Sequence, residues 1–317
     1  MFLQNAHFVK NDAWRYIVGT VLILIAWQGL GSIPFFVKLV SEVGMNGMLT
    51  LDETSMMTVL PKTETLLWLL TSFIIGFAGL WFVARALHGY TFRLLSVGGR
   101  KFDWGRVLFS FVLVVVSLAI LMAVEMQMDG DKYVYNLDWD KFLPLLAVVL
   151  LLLPIQTSFE EYFFRGYLLH WFGLSGSRAF AFLGTSILFG LMHIINPEIA
   201  QMGYGAITLY IGTGLLLGVM VMMDDGLELA LGFHAANNMF IALAATSTWT
   251  AIQTDSMYID TSSPSWEWWM VIPFLIQSAV ILGIFAYKYK WSNWNERLFG
   301  RTLPPPSVQP LEDVESY

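Results

Sequence analysis

Residues 143–172 read LPLLAVVLLLLPIQTSFEEYFFRGYLLHWF. The first half is hydrocarbon through Ile155. The second carries two adjacent carboxylates, Glu160 and Glu161, and a guanidinium, Arg165, on an otherwise apolar and aromatic background. A hydrocarbon core ~30 Å thick needs ~20 apolar residues of helix to cross it. This stretch is long enough, so it reads as a transmembrane helix with charges inside it. Ionisable side chains at that depth are costly and mark functional sites.

The rest of the chain has the same character. Of 317 residues, 56% are hydrophobic and only 13% are charged, about half the ~25% usual in soluble domains. The net charge is −7, with no basic patch to hold nucleic acid. There is no cysteine, hence no disulfide, thiolate metal site or cysteine nucleophile. Eight apolar stretches are long enough to span: 14–33, 65–87, 107–124, 143–172, 179–195, 204–223, 227–245 and 268–287. The fold class expected is all-α, a polytopic membrane bundle of about eight transmembrane helices in one domain, residues 1–317. The catalytic helices would fall within about 143–245.

An even number of spans puts both termini on one side. Placing them in the cytoplasm puts twelve of the 17 Lys and Arg inside and four (Lys38, Lys62, Lys132, Lys141) outside, as the positive-inside bias demands. One loop dissents, since Asp224, Asp225 and Glu228 have no basic neighbour in sequence. Trp266, Trp268 and Trp269 precede the last span and Trp291 and Trp294 follow it. Trp269 to Trp291 is about 33 Å of helix, one bilayer between two aromatic anchors. Residues 34–64 read as an outside loop. Residues 291–317, with three prolines at 304–306, read as a flexible cytoplasmic tail.

Glu161 and Arg165 are four apart, on one helical face and in the favourable order for an ion pair. Glu160 lies about 100° around the helix and is less neutralised by Arg165. A carboxylate without a full partner in an apolar site is suited to exchange a proton near neutral pH. In the fifth span Phe189 and His193 share a face. In the seventh His234 and Asn238 do, while Asn237 faces elsewhere as a helix-contact residue. Alone, each of these reads as a structural feature. Together they put two histidines and two glutamates on separate apolar helices. His7, His88 and His170, by contrast, lie near termini, loops or interfaces. Glu160 and His193 fall ~20 and ~26 Å from the turn at 173–176. They can therefore meet near mid-membrane across an antiparallel hairpin.

The three motifs, Glu160-Glu161-x-x-x-Arg165, Phe189-x-x-x-His193 and His234-x-x-x-Asn238, resemble those of the CPBP family, the CAAX proteases and bacteriocin-processing enzymes also called Abi. The resemblance covers residues 160–238. It implies an intramembrane endopeptidase acting on a peptide or lipidated-protein substrate. Glu160 and His193 would activate water, His234 and Asn238 would form an oxyanion hole, and Glu161, Arg165 and Phe189 would support them. No cofactor and no metal are expected: two histidines and a glutamate could hold zinc, but an HExxH motif is absent. A non-proteolytic immunity or scaffold member, and a proton-coupled transporter, are the alternative readings. The Gly214-x-x-x-Gly218 spacing reads as helix packing.

Overall fold

The computed structural model describes residues 1–51 and 53–305. Eight main helical segments run through them: α1 Ala13–Met48, α2 Lys62–His88, α3 Trp104–Lys132, α4 Trp139–Gly173, α5 Arg178–Met192, α6 Tyr204–Asp224, α7 Glu228–Ala244 and α8 Trp268–Tyr289. Each expected span falls within or across one of these. Six are long and apolar enough to cross a membrane. The other two, α5 and α7, are 15 and 17 residues long. The protein is an integral, multi-pass membrane protein.

Of the short helices, α7 lies at the middle of the bundle, whereas α5 leaves Leu183, Ile187 and Leu191 exposed on its outer face. α7 is wedged between α3 and α4, and α5 packs on α6. Leu229, Ala230, Ala236 and Ala242 of α7 are fully buried. Small residues allow these close approaches. A Cβ on Gly232 would press into the Val107 carbonyl of α3, and one on Gly214 into the Ser186 carbonyl of α5. Gly218 likewise admits Phe182. The Gly214/Gly218 spacing is thus a packing seam.

One end of the bundle gathers both ends of the described chain. Phe2 N donates to Asp225 Oδ1 (2.7 Å), Asn5 Nδ2 to the carbonyls of Leu94 and Val97 (2.8 Å each), and Thr302 N to the Gly176 carbonyl (3.0 Å). His88 and His170 are buried here. His88 binds the Lys10 carbonyl and the Tyr167 hydroxyl, and His170 the Phe2 carbonyl, so they fasten the N-terminal segment. The dissenting acidic loop also lies here. Arg100 and Arg106, from the α2–α3 connection and the first turn of α3, pair with Asp224 and Glu228. The opposite end carries a small sheet in the order β1-β3-β2. β3 (Tyr258–Asp260) runs antiparallel to β1 (Tyr133–Tyr135) and parallel to β2 (Ala245–Ser247).

Two expectations change. Residues 34–64 are not all loop: α1 continues to Met48, broken only at Gly44 with φ +72°. The polar residues that suggested a loop are satisfied on the helix, where Lys38 Nζ meets Glu42 Oε1 at 2.6 Å one turn away. The segment from residue 291 is not slack as far as residue 305. Trp294–Phe299 is a helix packed on α5 and α6, with Leu298 buried and Arg178 Nη1 donating to the Glu296 carbonyl at 3.0 Å. Residues 306–317 lie outside the described residues.

Candidate active site

The site forms where α4 passes α7 and the end of α5. The α-helical part of α4 stops at Glu161, and residues Tyr162–Leu168 continue as a π-helix. Such widened turns recur at functional sites. This one places Glu160, Glu161 and Arg165 at the bundle interior, where Glu161 and Arg165 are wholly buried and Glu160 is 6% exposed.

Arg165 Nη1 donates to Glu161 Oε1 at 3.1 Å, and Nη2 to the Gly214 carbonyl of α6 at 3.2 Å. Its guanidinium also lies over the Phe189 ring, 4.3 Å from the centroid. Glu161 Oε1 takes a second contact, from His234 Nδ1 at 2.8 Å. The other ring nitrogen of His234, Nε2, stands 3.4 Å from Glu160 Oε2. One imidazole therefore bridges both carboxylates across the α4–α7 interface. The remaining Glu160 oxygen, Oε1, accepts from Gln156 Nε2 at 2.6 Å. Gln156 Oε1 in turn accepts from Asn238 Nδ2 at 3.1 Å. Three buried atoms accept or donate no hydrogen bond within this network: Glu160 Oε2, Glu161 Oε2 and Arg165 Nε.

His193 sits differently from the other motif residues. The helix α5 ends at Met192 rather than 195, and His193 is its cap, with φ −92° and ψ 2°. The cause is local: Asn196 precedes Pro197, which pushes it into extended backbone (ψ 142°). The ring stacks on Tyr210 of α6 at 4.4 Å and leans on Phe189 at 4.8 Å. His193 Nδ1 lies 2.7 Å from the Phe189 carbonyl. A carbonyl only accepts, so Nδ1 is the donor, and in the neutral ring Nε2 is then the acceptor. His193 makes no hydrogen bond to Glu160 among the described residues; Phe189 connects the His193 ring to the His234 ring, 5.8 Å away.

Glu160, Glu161, Arg165, Phe189 and His234 are thus in one contact network. Asn238 joins it through Gln156, and His193 through Phe189. Asn237 donates to Asn238 Oδ1 at 3.1 Å, so it is part of the chain rather than only a helix contact. Sequence reasoning missed Gln156, although it lies one turn before Glu160 on the same face. It also missed Tyr210 and Glu198. Glu198 accepts from the Tyr210 hydroxyl, from Asn196 Nδ2 and from the Ala251 N–H, tying the His193 platform to the loop after β2. No sequence period relates those positions. Among the described residues no three His, Asp or Glu side chains are grouped so as to hold a metal ion.

A family model described as type II CAAX prenyl endopeptidase, Rce1-like, matches residues 139–240, the segment from the start of α4 to near the end of α7. The Bacillus subtilis protein YyaK is 28% identical over 293 residues, which cover 89% of this chain and 94% of its own. No solved structure matches the chain significantly.

Proposed function

We propose that this membrane-embedded chain, whose residues 139–240 match the Rce1-like family of CAAX-type endopeptidases, hydrolyses a peptide bond with water activated by Glu160 and His193. The observation that carries the reading is the unequal treatment of the two Glu160 oxygens. Oε1 is held by Gln156, whereas Oε2 is buried, faces His234 and accepts no hydrogen bond. That is the disposition of a base kept free on one side. His193 offers the Nε2 lone pair as a second acceptor for the same water.

The proton leaves water for Glu160, the hydroxide oxygen bonds to the scissile carbonyl carbon, and the carbonyl oxygen becomes an oxyanion. Donors placed where that charge develops are the largest single aid to such a step. His234 and Asn238, one turn apart on α7, supply an imidazole N–H and an amide N–H. Glu161 binds His234 Nδ1 and fixes the ring. With Nδ1 engaged by Glu161, the ring nitrogen proposed to serve the oxyanion is Nε2. Glu160 then returns its proton to the leaving nitrogen as the C–N bond breaks. The substrate proposed is a peptide segment at the bilayer, lipidated or not, and the basic end of the bundle is proposed to face the cytoplasm.

The test is cleavage of a peptide panel, with and without prenyl groups, by the purified chain in lipid nanodiscs. Glu160→Gln keeps shape and removes the base, so activity should fall about 10²–10⁴-fold with the melting temperature unchanged. Full activity in that variant would overturn the mechanism.

A further inference from the structure

Gln156 is 7% exposed, in the membrane interior, one helical turn before Glu160. Its side chain touches two residues assigned to the chemistry, from two different helices. Nε2 donates to Glu160 Oε1 at 2.6 Å and Oε1 accepts from Asn238 Nδ2 at 3.1 Å. The amide can sit only one way round. Turned over, its oxygen would face a carboxylate and its NH₂ would face the NH₂ of Asn238. Asn238 is fixed in the same sense, because its own Oδ1 accepts from Asn237 Nδ2. The donors therefore run in one direction, Asn237 to Asn238 to Gln156 to Glu160.

Each partner of Gln156 has two equivalent atoms, and Gln156 occupies one of each. A carboxylate has two oxygens and a primary amide has two N–H groups. With Oε1 of Glu160 engaged, Oε2 is the oxygen left for water. With one N–H of Asn238 engaged, the second is held in the amide plane and cannot exchange places with Oδ1. We propose that Gln156 is a positioning residue of the peptidase site, a single amide that orients the base and one oxyanion donor together. The inference rests on the peptidase reading above. It explains why a lone amide lies buried directly after the apolar run 143–155.

The experiment compares wild type, Gln156→Met, Asn238→Ala and the double variant, each purified in nanodiscs with a cleavable peptide. Methionine matches glutamine in length and removes both hydrogen bonds. The expected result is a kcat lower by about 10–100-fold, since geometry rather than a reacting group is lost, with KM changed less than about threefold. Because Gln156 acts partly through Asn238, the same substitution made on top of Asn238→Ala should cost markedly less than it does in wild type. A merely structural glutamine would give full additivity and a lowered melting temperature. Gln156→Leu serves in the same cycle if Gln156→Met fails to fold. Wild-type kcat in folded Gln156→Met, beside a dead Glu160→Gln, would overturn this inference and leave the peptidase standing. A wild-type chain that cuts nothing in the panel would overturn both.

Discussion

Two clusters of Arg and carboxylate pack this molecule, and they are built to opposite rules. At the basic end, each carboxylate oxygen of Asp224 and Glu228 has a donor. Asp224 Oδ1 takes Arg106 and Trp291 Nε1, and Oδ2 takes Arg100. Glu228 Oε1 takes Arg100 and the Asp103 N–H, and Oε2 takes Arg100 again at 2.8 Å. The arginines are 28% and 21% exposed, so water completes their shells. Burial works against the Arg100 charge, yet the bond to Glu228 and the charges of Glu228 and Asp224 outweigh it and raise its pKa. In the α4–α7 cluster, the Arg165 and Glu161 side chains have no exposure, and three polar atoms go without partners. A buried polar atom left unpaired costs about 1–3 kcal/mol. A bundle able to satisfy one cluster completely has no packing reason to leave the other short. On the function proposed above, the difference is that between a clamp and a site.

The largest effect should come from breaking the deep cluster. Glu161→Ala leaves Arg165 buried with only the Gly214 carbonyl and the Phe189 face, and frees His234 Nδ1. Removing one partner of a buried pair costs about 3–5 kcal/mol. Low expression, a melting temperature reduced by many degrees and loss of cleavage are expected together. An unchanged melting temperature would show that Arg165 is held well enough without Glu161.

Asn238→Ala should separate rate from stability at the same site. Its contacts are neutral amide bonds, so the fold should survive. Loss of one oxyanion donor lowers kcat by about 10²–10³ with little change in KM. A KM raised about tenfold or more at unchanged kcat would move Asn238 from the transition state to substrate binding.

The contrast between the clusters also explains what could be read in advance. Long apolar runs made all eight helices legible, because lipid-facing and core-facing positions are both hydrocarbon. The Glu160, His193 and His234 motifs were legible because polar groups stand out against it. Gln156 stood out equally, but an uncharged amide has many structural uses in a membrane helix, and only its two partners distinguish it. The pairing of Arg100 with Glu228 joins residues 128 apart, and nothing in either local sequence announces it. The docking of Trp294–Phe299 was hidden for a similar reason. A six-residue helix with one buried leucine carries no periodic signal, and its anchor is the Arg178 side chain from another element.

The smallest effect should come from the basic end, and a pair of reversals makes the comparison decisive. Arg100→Met strips Glu228 of its bidentate partner and leaves it the Asp103 N–H alone. Asp224 keeps Arg106 and Trp291. Glu228 is buried, but Arg100 is partly in water, so the cost is discounted from the buried-pair range to about 1–3 kcal/mol. Turnover per folded molecule should not change, because Arg100 and Glu228 bond to Asp224 and the Asp103 N–H and to none of the residues assigned to the chemistry. Removing both partners, in Arg100→Met with Glu228→Leu, should recover much of the lost stability, since an apolar pair of similar volume replaces an ion pair at little net cost. The same double replacement in the deep cluster, Arg165→Met with Glu161→Leu, should likewise restore melting toward wild type. It should restore no cleavage, because His234 then has nothing on Nδ1 to fix its ring. Melting curves and peptide turnover of the two double variants, measured side by side, check this. Recovery of both stability and cleavage in the deep pair would make that cluster a clamp as well, and the distinction between the two regions would fall.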